Sequence, residues 1–187
     1  MNNTIVLASG SPRRKELLKL ITDNFEIRVS TAEEKTAAGF TPAETVEALA
    51  ALKAADVYSG NKDEIIIAAD TVVAVDRTIL GKPANEEDAF RMLRMLSGEK
   101  HSVYTGVCIR NTEKERVFSV CSDVYFRTLS DEDILAYIAT GEPADKAGAY
   151  GIQGKGALLV EKICGDYFNI VGLPVSALAA ELRQFGV

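Results

Sequence analysis

Apolar positions along the chain follow two periods, and the shorter one predicts strands. Residues 65–75 form an apolar run interrupted only by Asp70 and Thr71, and residues 5–8 form a short apolar run. Alternating or continuous apolar runs of this length are typical of half-buried or buried strands. By this criterion we predict strands at residues 5–8, 25–29, 65–75, 79–80, 101–110, 116–126, 157–160 and 167–171, the fifth and sixth forming an antiparallel hairpin around a turn at 111–115.

Helices are predicted where a capping residue precedes an apolar stripe. Thr41 with Pro42 and Glu44 forms a capping-box start, and its helix should run to about Tyr58. Further starts lie at Ser11, at residues 85–88, at residues 130–133 and near Pro174. Helices and strands that alternate early, followed by a hairpin, indicate a mixed-sheet α/β fold. We predict one domain, 1–187, whose middle third could form a second lobe.

Composition limits the classes of partner. The chain has 187 residues and a net charge of −6, which disfavours a nucleic-acid polymer as partner. Its three cysteines are far apart, so neither a disulfide framework nor a zinc site is expected, and Cys108 and Cys121 are predicted as buried thiols. No signal peptide and no apolar stretch of ~20 residues is present, which predicts a cytoplasmic protein without membrane contact.

Two adjacent arginines stand at an unusual position in the first predicted helix. Arg13 and Arg14 fall in its first turn, where the helix dipole disfavours cations. An anion bound beside Ser9, Gly10 and Ser11 would compensate them, because helix N-termini and arginine both hold phosphate well. The alternative is a pair of solvated arginines on a surface helix.

Asp70 is the sharpest single signal for chemistry. Five apolar residues precede it, and a carboxylate buried in such a strand is costly unless it is paired or bound to metal. It is therefore a candidate general base or metal ligand, although it could also only bond nearby backbone. Lys53 lies on the apolar stripe of the second predicted helix and would need an anionic partner there, unless it snorkels to the edge.

Loops carry the remaining candidates. Glu33 or Glu34 could join Asp70 at a divalent cation, whereas surface charge is the simpler interpretation. Lys82 lies between two turn formers and could bind a ligand or be solvated. The glycine-rich residues 145–156 lack P-loop spacing, but Gln153 could bond a base edge unless the segment is only a connector. His101, the one histidine, is expected to be structural because no nucleophile-elbow motif accompanies it.

The combination of these segments resembles the Maf family over essentially the whole chain. The matching segments, in order, are LASGSPRR (7–14), ADTVV (69–73), LGKP (80–83), DKAGAYGIQG (145–154) and GDYFNIVGLP (165–174). The resemblance implies an elongated mixed α/β fold related to inosine triphosphatases, with the active site in a cleft between two lobes. It also implies a house-cleaning pyrophosphatase that takes a small-molecule nucleoside triphosphate.

The resemblance further assigns roles by position. The branch that acts on dTTP and UTP matches at the discriminating positions Arg13, Thr71 and Gln153, whereas the branch that acts on 7-methyl-GTP has Gln and Glu at the last two. The family's general base matches Asp70. Its other polar site positions match Ser9, Arg14, Glu34, Lys53 and Lys82, with Glu33 as the alternative loop carboxylate.

The expected reaction needs a Mg²⁺ or Mn²⁺ ion held partly by Glu34 and Asp70. Asp70 would activate water for attack on the α-phosphorus, while Arg14, Lys53, Lys82 and the helix start at Ser11 would stabilise the leaving pyrophosphate. CTP or modified pyrimidine nucleotides are further candidate substrates. A non-hydrolytic nucleotide-binding regulator of septum formation and a nucleotidyltransferase remain alternatives, and a homodimer stays open.

Overall fold

The strand-forming runs assemble into one mixed sheet in the computed structural model, which describes residues 3–34 and 39–187. The strand order is β2-β1-β3-β5-β6-β7, and β4 pairs with β3 off this path. β1 is parallel to β2 and β3, and the other pairs are antiparallel. The strands are β1 Thr4–Leu7, β2 Phe25–Ile27, β3 Glu64–Val75, β4 Thr78–Leu80, β5 Lys100–Arg110, β6 Glu115–Phe126 and β7 Val160–Cys164.

One edge of β3 is shared by two strands that do not meet. β1 pairs with the first part of β3 as far as Leu7 opposite Ile67. β4 pairs with the last part, beginning at Leu80 opposite Val73. Within the described ranges, no strand pairs with this edge between Ile67 and Val73. The sheet therefore has a notch beside residues 68–72, and Asp70 and Thr71 lie in it.

Local capping signals set the helix starts as the sequence predicted. Ser11, Thr41, Asn85 and Ser130 each accept a hydrogen bond at the N-cap, and Thr41 with Glu44 completes the predicted capping box. The helices are α1 Pro12–Leu18, α2 Pro42–Val57, α3 Glu86–Leu96, α4 Asp131–Ile138, α5 Tyr167–Val171 and α6 Val175–Leu182, with 3₁₀ turns at Glu142–Asp145, Ala147–Ala149, Gly154–Leu159 and Arg183–Phe185.

Consecutive residues of β3 project to opposite faces of the sheet, and the two faces pack on different helices. Ile66 and Ala68 pack with Ala50 and Ala54 of α2. The alternate β3 side chains at 65, 67 and 69 pack in a second cluster with α1, α5 and α6. Asp70 therefore projects towards α2, and Thr71 projects towards α5. A third cluster joins α3 and α4 to the far end of the sheet.

Gly106 on β5 lets α2 lie directly on the sheet. A Cβ at this position would lie 2.3 Å from the carbonyl oxygen of Val46 and 2.7 Å from the backbone nitrogen of Glu47. Gly106 is also the register partner of Asp70. The close approach of α2 at this point brings the helix over the β3 residue that carries the buried carboxylate.

Three local predictions are wrong. Residues 167–171, predicted as a strand, form α5, because Asp166 caps Phe168 and Gly172 ends the helix at a φ of 127°. Residues 157–160, also predicted as a strand, lie mostly in the 3₁₀ turn that precedes β7. Cys121 is exposed rather than buried, because it faces outward on β6, whereas Cys108 is buried as expected.

The mixed α/β fold class is confirmed, as are β1, β3, the hairpin of β5 and β6, and the starts of α2, α3 and α4. Within residues 3–34 and 39–187, no helix is long and apolar enough to cross a bilayer. The assignment of 1–187 as one domain with a second lobe stays a prediction.

Candidate active site

A cleft of about 580 Å³ opens at the notch beside β3. Its volume lies within the range of ligand-binding sites, which is about 300–1,000 Å³. Charged side chains converge on it from several elements, and such a cluster in a cleft is typical of a functional site. They are Arg13 and Arg14 at the start of α1, Glu34 in a loop, Lys53 on α2, Asp70 on β3, Lys82 after β4, and Asp145 and Lys146 in the first 3₁₀ turn and just after it.

Asp70, Lys53 and Glu34 form a charged row in the cleft. The ammonium of Lys53 lies 2.6 Å from Asp70 Oδ1 and 2.8 Å from Glu34 Oε1. Asp70 is 8% exposed, and a carboxylate buried to this degree needs a partner such as Lys53. Lys53 therefore faces inward on its helix stripe and has the anionic partners that such a position requires.

Arg14 is fixed by three hydrogen bonds that leave part of its guanidinium available. Its Nε donates to the carbonyl of Gly172 at 2.8 Å, its Nη2 to the Thr71 hydroxyl at 3.0 Å and its Nη1 to the Ser9 hydroxyl at 3.4 Å. A guanidinium has five N–H groups, so the partners within the described chain use three and leave two for a ligand in the cleft. This is the number that a two-pronged contact with a phosphate needs.

The surroundings of Arg14 shift its pKa. Burial lowers the pKa of its guanidinium, the negative charge of Asp70 acts in the opposite direction, and the neighbouring positive charge of Arg13 lowers it further. Arginine stays protonated in proteins all the same. The charge is thus retained in a position where water screens it poorly, and an anionic ligand would be attracted strongly.

Ser9 and Ser11 shape the start of α1. The Ser11 side chain is the N-cap and accepts from the backbone N–H of Arg14 at 3.4 Å. The Ser9 hydroxyl accepts from the backbone N–H of Ser11 at 3.2 Å, in addition to its bond from Arg14. Ser11 lines the cleft, whereas Ser9 lies behind it and holds the two residues that do.

Arg13 and most residues of the segment 145–153 also line the cleft. The hydrogen bond from Lys146 lowers the pKa of the Asp145 carboxyl, and the charge of Arg13 contributes in the same direction. Lys82 and the exposed Gln153 line the cleft as well. A backbone hydrogen bond of 3.0 Å from Gly148 to the carbonyl of Gly81 joins the two loops that carry them.

The sequence comparisons identify the family of the chain. The chain matches the family described as "Maf-like protein" over residues 4–185. The chain belongs to the Maf family. It is 51% identical over 183 residues to a "dTTP/UTP pyrophosphatase" of Bacillus cereus (strain B4264), covering 98% of this chain and 96% of the relative. The protein of the same name from strain AH187 is 52% identical over the same shares.

A solved structure supports the fold. The Staphylococcus aureus Ham1 protein superposes with a TM-score of 0.58 at 15% identity, covering 98% of this chain and all of that one. At this identity the likeness concerns the fold alone. It agrees with the mixed α/β fold described above.

The cleft brings together every Maf site position that the sequence predicted except Ser9, which supports it from behind. Of the two loop glutamates, Glu34 is the one that contacts Lys53 and lines the cleft. Glu33 is not among the residues that line the cleft.

The carboxylates available for a divalent cation are few. Among the described residues, no three His, Cys, Asp or Glu side chains converge on a point. Glu34 and Asp70 are nevertheless brought together at Lys53, and carboxylate oxygens are the ligands that Mg²⁺ prefers. The pair fits a cation that takes most of its other ligands from phosphate oxygens and water, as Mg²⁺ does at nucleotides.

Sequence reasoning missed several residues at the cleft. Lys146 and Asp145 lie within a motif that was recognised, but neither was assigned a role; their charge next to the glycines was the available signal. Tyr150 also lines the cleft, and its hydroxyl lies 2.7 Å from His101 Nε2. His101 is buried, and its contact with a cleft residue has no counterpart in the local sequence. Its structural role stays a prediction.

Proposed function

We propose that this protein is a nucleoside triphosphate pyrophosphatase that hydrolyses dTTP and UTP to the monophosphate and pyrophosphate. The names of its 51–52% identical relatives support this activity. One structural observation carries the proposal: the buried Asp70 carboxylate lies in the same cleft as the side chains of Arg14, Lys53 and Lys82. A base beside clustered cations suits attack on a polyanionic phosphate chain.

In the proposed reaction, the oxygen of a water molecule attacks the α-phosphorus, and the Asp70 carboxylate accepts a proton from that water. The bond between the α-phosphorus and the oxygen that bridges to the β-phosphorus breaks, and the electron pair leaves with pyrophosphate. Arg14 and Lys82 would neutralise the charge that develops on the leaving group, with the N-cap at Ser11 beside them. Lys53 holds the Asp70 carboxylate in place through its 2.6 Å contact.

A divalent cation, Mg²⁺ or Mn²⁺, is part of the proposal. Glu34 and Asp70 would hold it, together with oxygens of the substrate. When bound, such a cation would withdraw charge from the phosphate oxygens and align the chain for in-line attack. Activity with Mg²⁺ or Mn²⁺ that disappears in a chelator would support this part, and full activity in the chelator would refute it.

Selection of the pyrimidine nucleotide is assigned to Arg13, Thr71 and Gln153. Arg13 and Gln153 line the same cleft as Asp70, so both are available to a nucleoside that extends from the phosphates. The amide of Gln153 can donate to and accept from a base edge. We also propose a cytoplasmic location; whether the protein is a monomer or a homodimer is decided by its mass in solution.

A panel of nucleotides tests the function. Purified protein with Mg²⁺ is incubated with dTTP, UTP, CTP, ATP and GTP, and the release of pyrophosphate is measured. Preferential release from dTTP and UTP is expected. Tight binding without products would instead indicate the regulator, and pyrophosphate release that requires a second acceptor substrate would indicate a nucleotidyltransferase.

The variant Asp70→Asn tests the assignment of Asp70 as the general base. We expect kcat to fall by ~10²–10⁴-fold, because removal of a general base typically costs that much. Asp123→Asn is the matched control, since Asp123 is a strand carboxylate whose partners, Ser102 and Lys100, lie away from the cleft. An Asp70→Asn protein with normal turnover would refute the assignment.

A further inference from the structure

Behind Arg14, a chain of hydrogen bonds leads from the cleft into the core. Arg14 Nη2 donates to the Thr71 hydroxyl, and the Thr71 and Thr105 hydroxyl oxygens are 2.9 Å apart. The Thr105 hydroxyl lies 2.9 Å from the carbonyl oxygen of Asn169. Thr105 is fully buried on β5, directly opposite Thr71 in the register, and is not part of the cleft surface.

The direction of every bond in this chain is fixed by the number of protons. A carbonyl oxygen can only accept, so the single hydroxyl proton of Thr105 goes to Asn169. Thr105 must then accept from Thr71, and Thr71 accepts from Arg14. The one hydroxyl proton of Thr71 is therefore used inside the protein. Thr71 has no proton to donate to a nucleotide while this chain is intact.

The other end of the chain is anchored firmly. The Asn169 side chain is buried and donates to the carbonyl of Val103 and to the hydroxyl of Ser122. Asn169 belongs to α5, and the Gly172 carbonyl that accepts from Arg14 Nε follows at the end of the same helix. Two of the three bonds that orient Arg14 thus depend on a segment that β5 and β6 hold in place.

We propose that Thr105 is a positioning residue for the substrate, acting through Thr71 on the guanidinium of Arg14. The inference rests on the proposed function, because it assumes that Arg14 contacts the phosphates. On this proposal, Thr71 affects the substrate through Arg14. It does not donate its hydroxyl proton to the nucleobase. A residue with no contact to the cleft would then affect catalysis.

The pair Thr105→Val and Thr105→Ser separates the hydroxyl from the shape of the side chain. Valine keeps the shape but leaves the Thr71 proton without its partner and the Asn169 carbonyl with only the backbone N–H of Gly172. Serine keeps the hydroxyl. We expect kcat/KM for dTTP and UTP to fall roughly tenfold in Thr105→Val, because a buried hydrogen bond is lost and Arg14 is displaced. Thr105→Ser should stay within about threefold of the wild type. Ser102→Ala, which removes another hydroxyl from β5 away from the cleft, should match the wild type.

A double-mutant cycle tests whether the effect passes through Arg14. In an Arg14→Ala background, Thr105→Val should change kcat/KM by less than about twofold, because neighbours that act together are not additive. The inference is overturned if Thr105→Val folds and keeps wild-type kcat/KM, if serine fails to rescue, or if valine has its full effect in the Arg14→Ala background.

The NMR signal of the Arg14 Nε–H group provides a readout that does not need turnover. The signal is assigned by its loss in Arg14→Lys. It should be slow to exchange with water in the wild type and in Thr105→Ser, and should shift and exchange faster in Thr105→Val. An unchanged signal in Thr105→Val overturns the positioning inference. Wild-type protein that releases no pyrophosphate from any nucleotide refutes the proposed function, and the NMR comparison still decides the positioning.

Discussion

At the scale of single residues, neighbours of the same type have different surroundings. Arg14 is held by Ser9, Thr71 and Gly172, while Arg13 lines the cleft on the side of Asp145. A fixed guanidinium suits a ligand part that is the same in every substrate, such as the phosphates. The guanidinium of Arg13 suits the part that varies between nucleotides, which is the nucleoside. The two arginines are therefore expected to contribute to binding and to selectivity in different proportions.

The two loop glutamates give a residue-scale prediction. Glu34→Gln should raise the Mg²⁺ concentration for half-maximal activity by roughly tenfold or more, because it removes one of two candidate carboxylate ligands. Glu33→Gln is the matched control and should stay close to the wild type, since Glu33 does not line the cleft. Pyrophosphate release is measured across a Mg²⁺ titration. Equal effects of the two substitutions, or an effect of Glu33→Gln alone, would contradict the assignment.

Residue-level prediction from sequence works where a residue conflicts with its surroundings. Asp70 in an apolar strand and two arginines at a helix start are such conflicts, and the structure brings all three to one cleft. Thr105 gives no signal, because threonine is an ordinary strand residue. Its importance comes from the long-range pairing of β3 with β5 and from the position of α5, neither of which is visible in the local sequence.

At the scale of elements, the close contact between α2 and β5 sets the position of Lys53. Gly106→Ala should lower the free energy of unfolding by roughly 1–3 kcal/mol, because a methyl group would collide with the backbone of α2 at Val46 and Glu47. Gly81→Ala is the control: nothing lies within 4 Å of its Cβ position, so its effect should stay within about 0.5 kcal/mol. Chemical denaturation with a constant m value measures both.

The same contact links stability to activity. If α2 shifts away from β3 in Gly106→Ala, the 2.6 Å contact between Lys53 and Asp70 lengthens, and kcat should fall below the wild-type value in protein that is still folded. Wild-type stability in Gly106→Ala would show that α2 and β5 do not approach as closely as described.

Elements with a strong cap or a long apolar run were predictable, and short apolar segments were not. Thr41 and Glu44 define the start of α2 within a few residues, whereas 167–171 contains aromatic and β-branched residues without a helical stripe. Periodicity cannot separate a strand from a helix over five residues. The notch in the sheet was also beyond prediction, because it depends on where β1 and β4 each stop pairing with β3.

At the scale of the whole molecule, one buried histidine connects the core to the cleft. His101 packs edge-on against the rings of Phe126 and Tyr150, with ring centroids 5.0 and 5.2 Å away. Burial lowers the pKa of His101 to about 4, against a partly opposing effect of Asp123. The folded protein therefore holds this imidazole neutral over a pH range in which the unfolded chain would protonate it.

This difference predicts how stability depends on pH. The unfolded chain takes up a proton on His101 below about pH 6.5, and the folded protein does so only below about pH 4. The free energy of unfolding should accordingly fall as the pH is lowered from about 6.5 to about 4, and the total contribution of this group is about 3 kcal/mol. Above pH 6.5 the contribution is complete and constant.

Two measurements check this prediction. His101 is the one histidine of the chain, so its ring C–H signals in the NMR spectrum report its titration without ambiguity, and their midpoint should lie near pH 4 in folded protein. His101→Gln keeps a neutral hydrogen-bonding group next to Tyr150 but cannot take up the proton. Its unfolding free energy should therefore vary less steeply with pH than that of the wild type between about pH 6.5 and 4, by up to about 1.4 kcal/mol per pH unit. Carboxylates that titrate in the same interval are common to both proteins, so the difference isolates the histidine. A midpoint near 6.5, or equal slopes, would mean that water reaches the His101 ring in the folded protein and that the core behind Tyr150 is open.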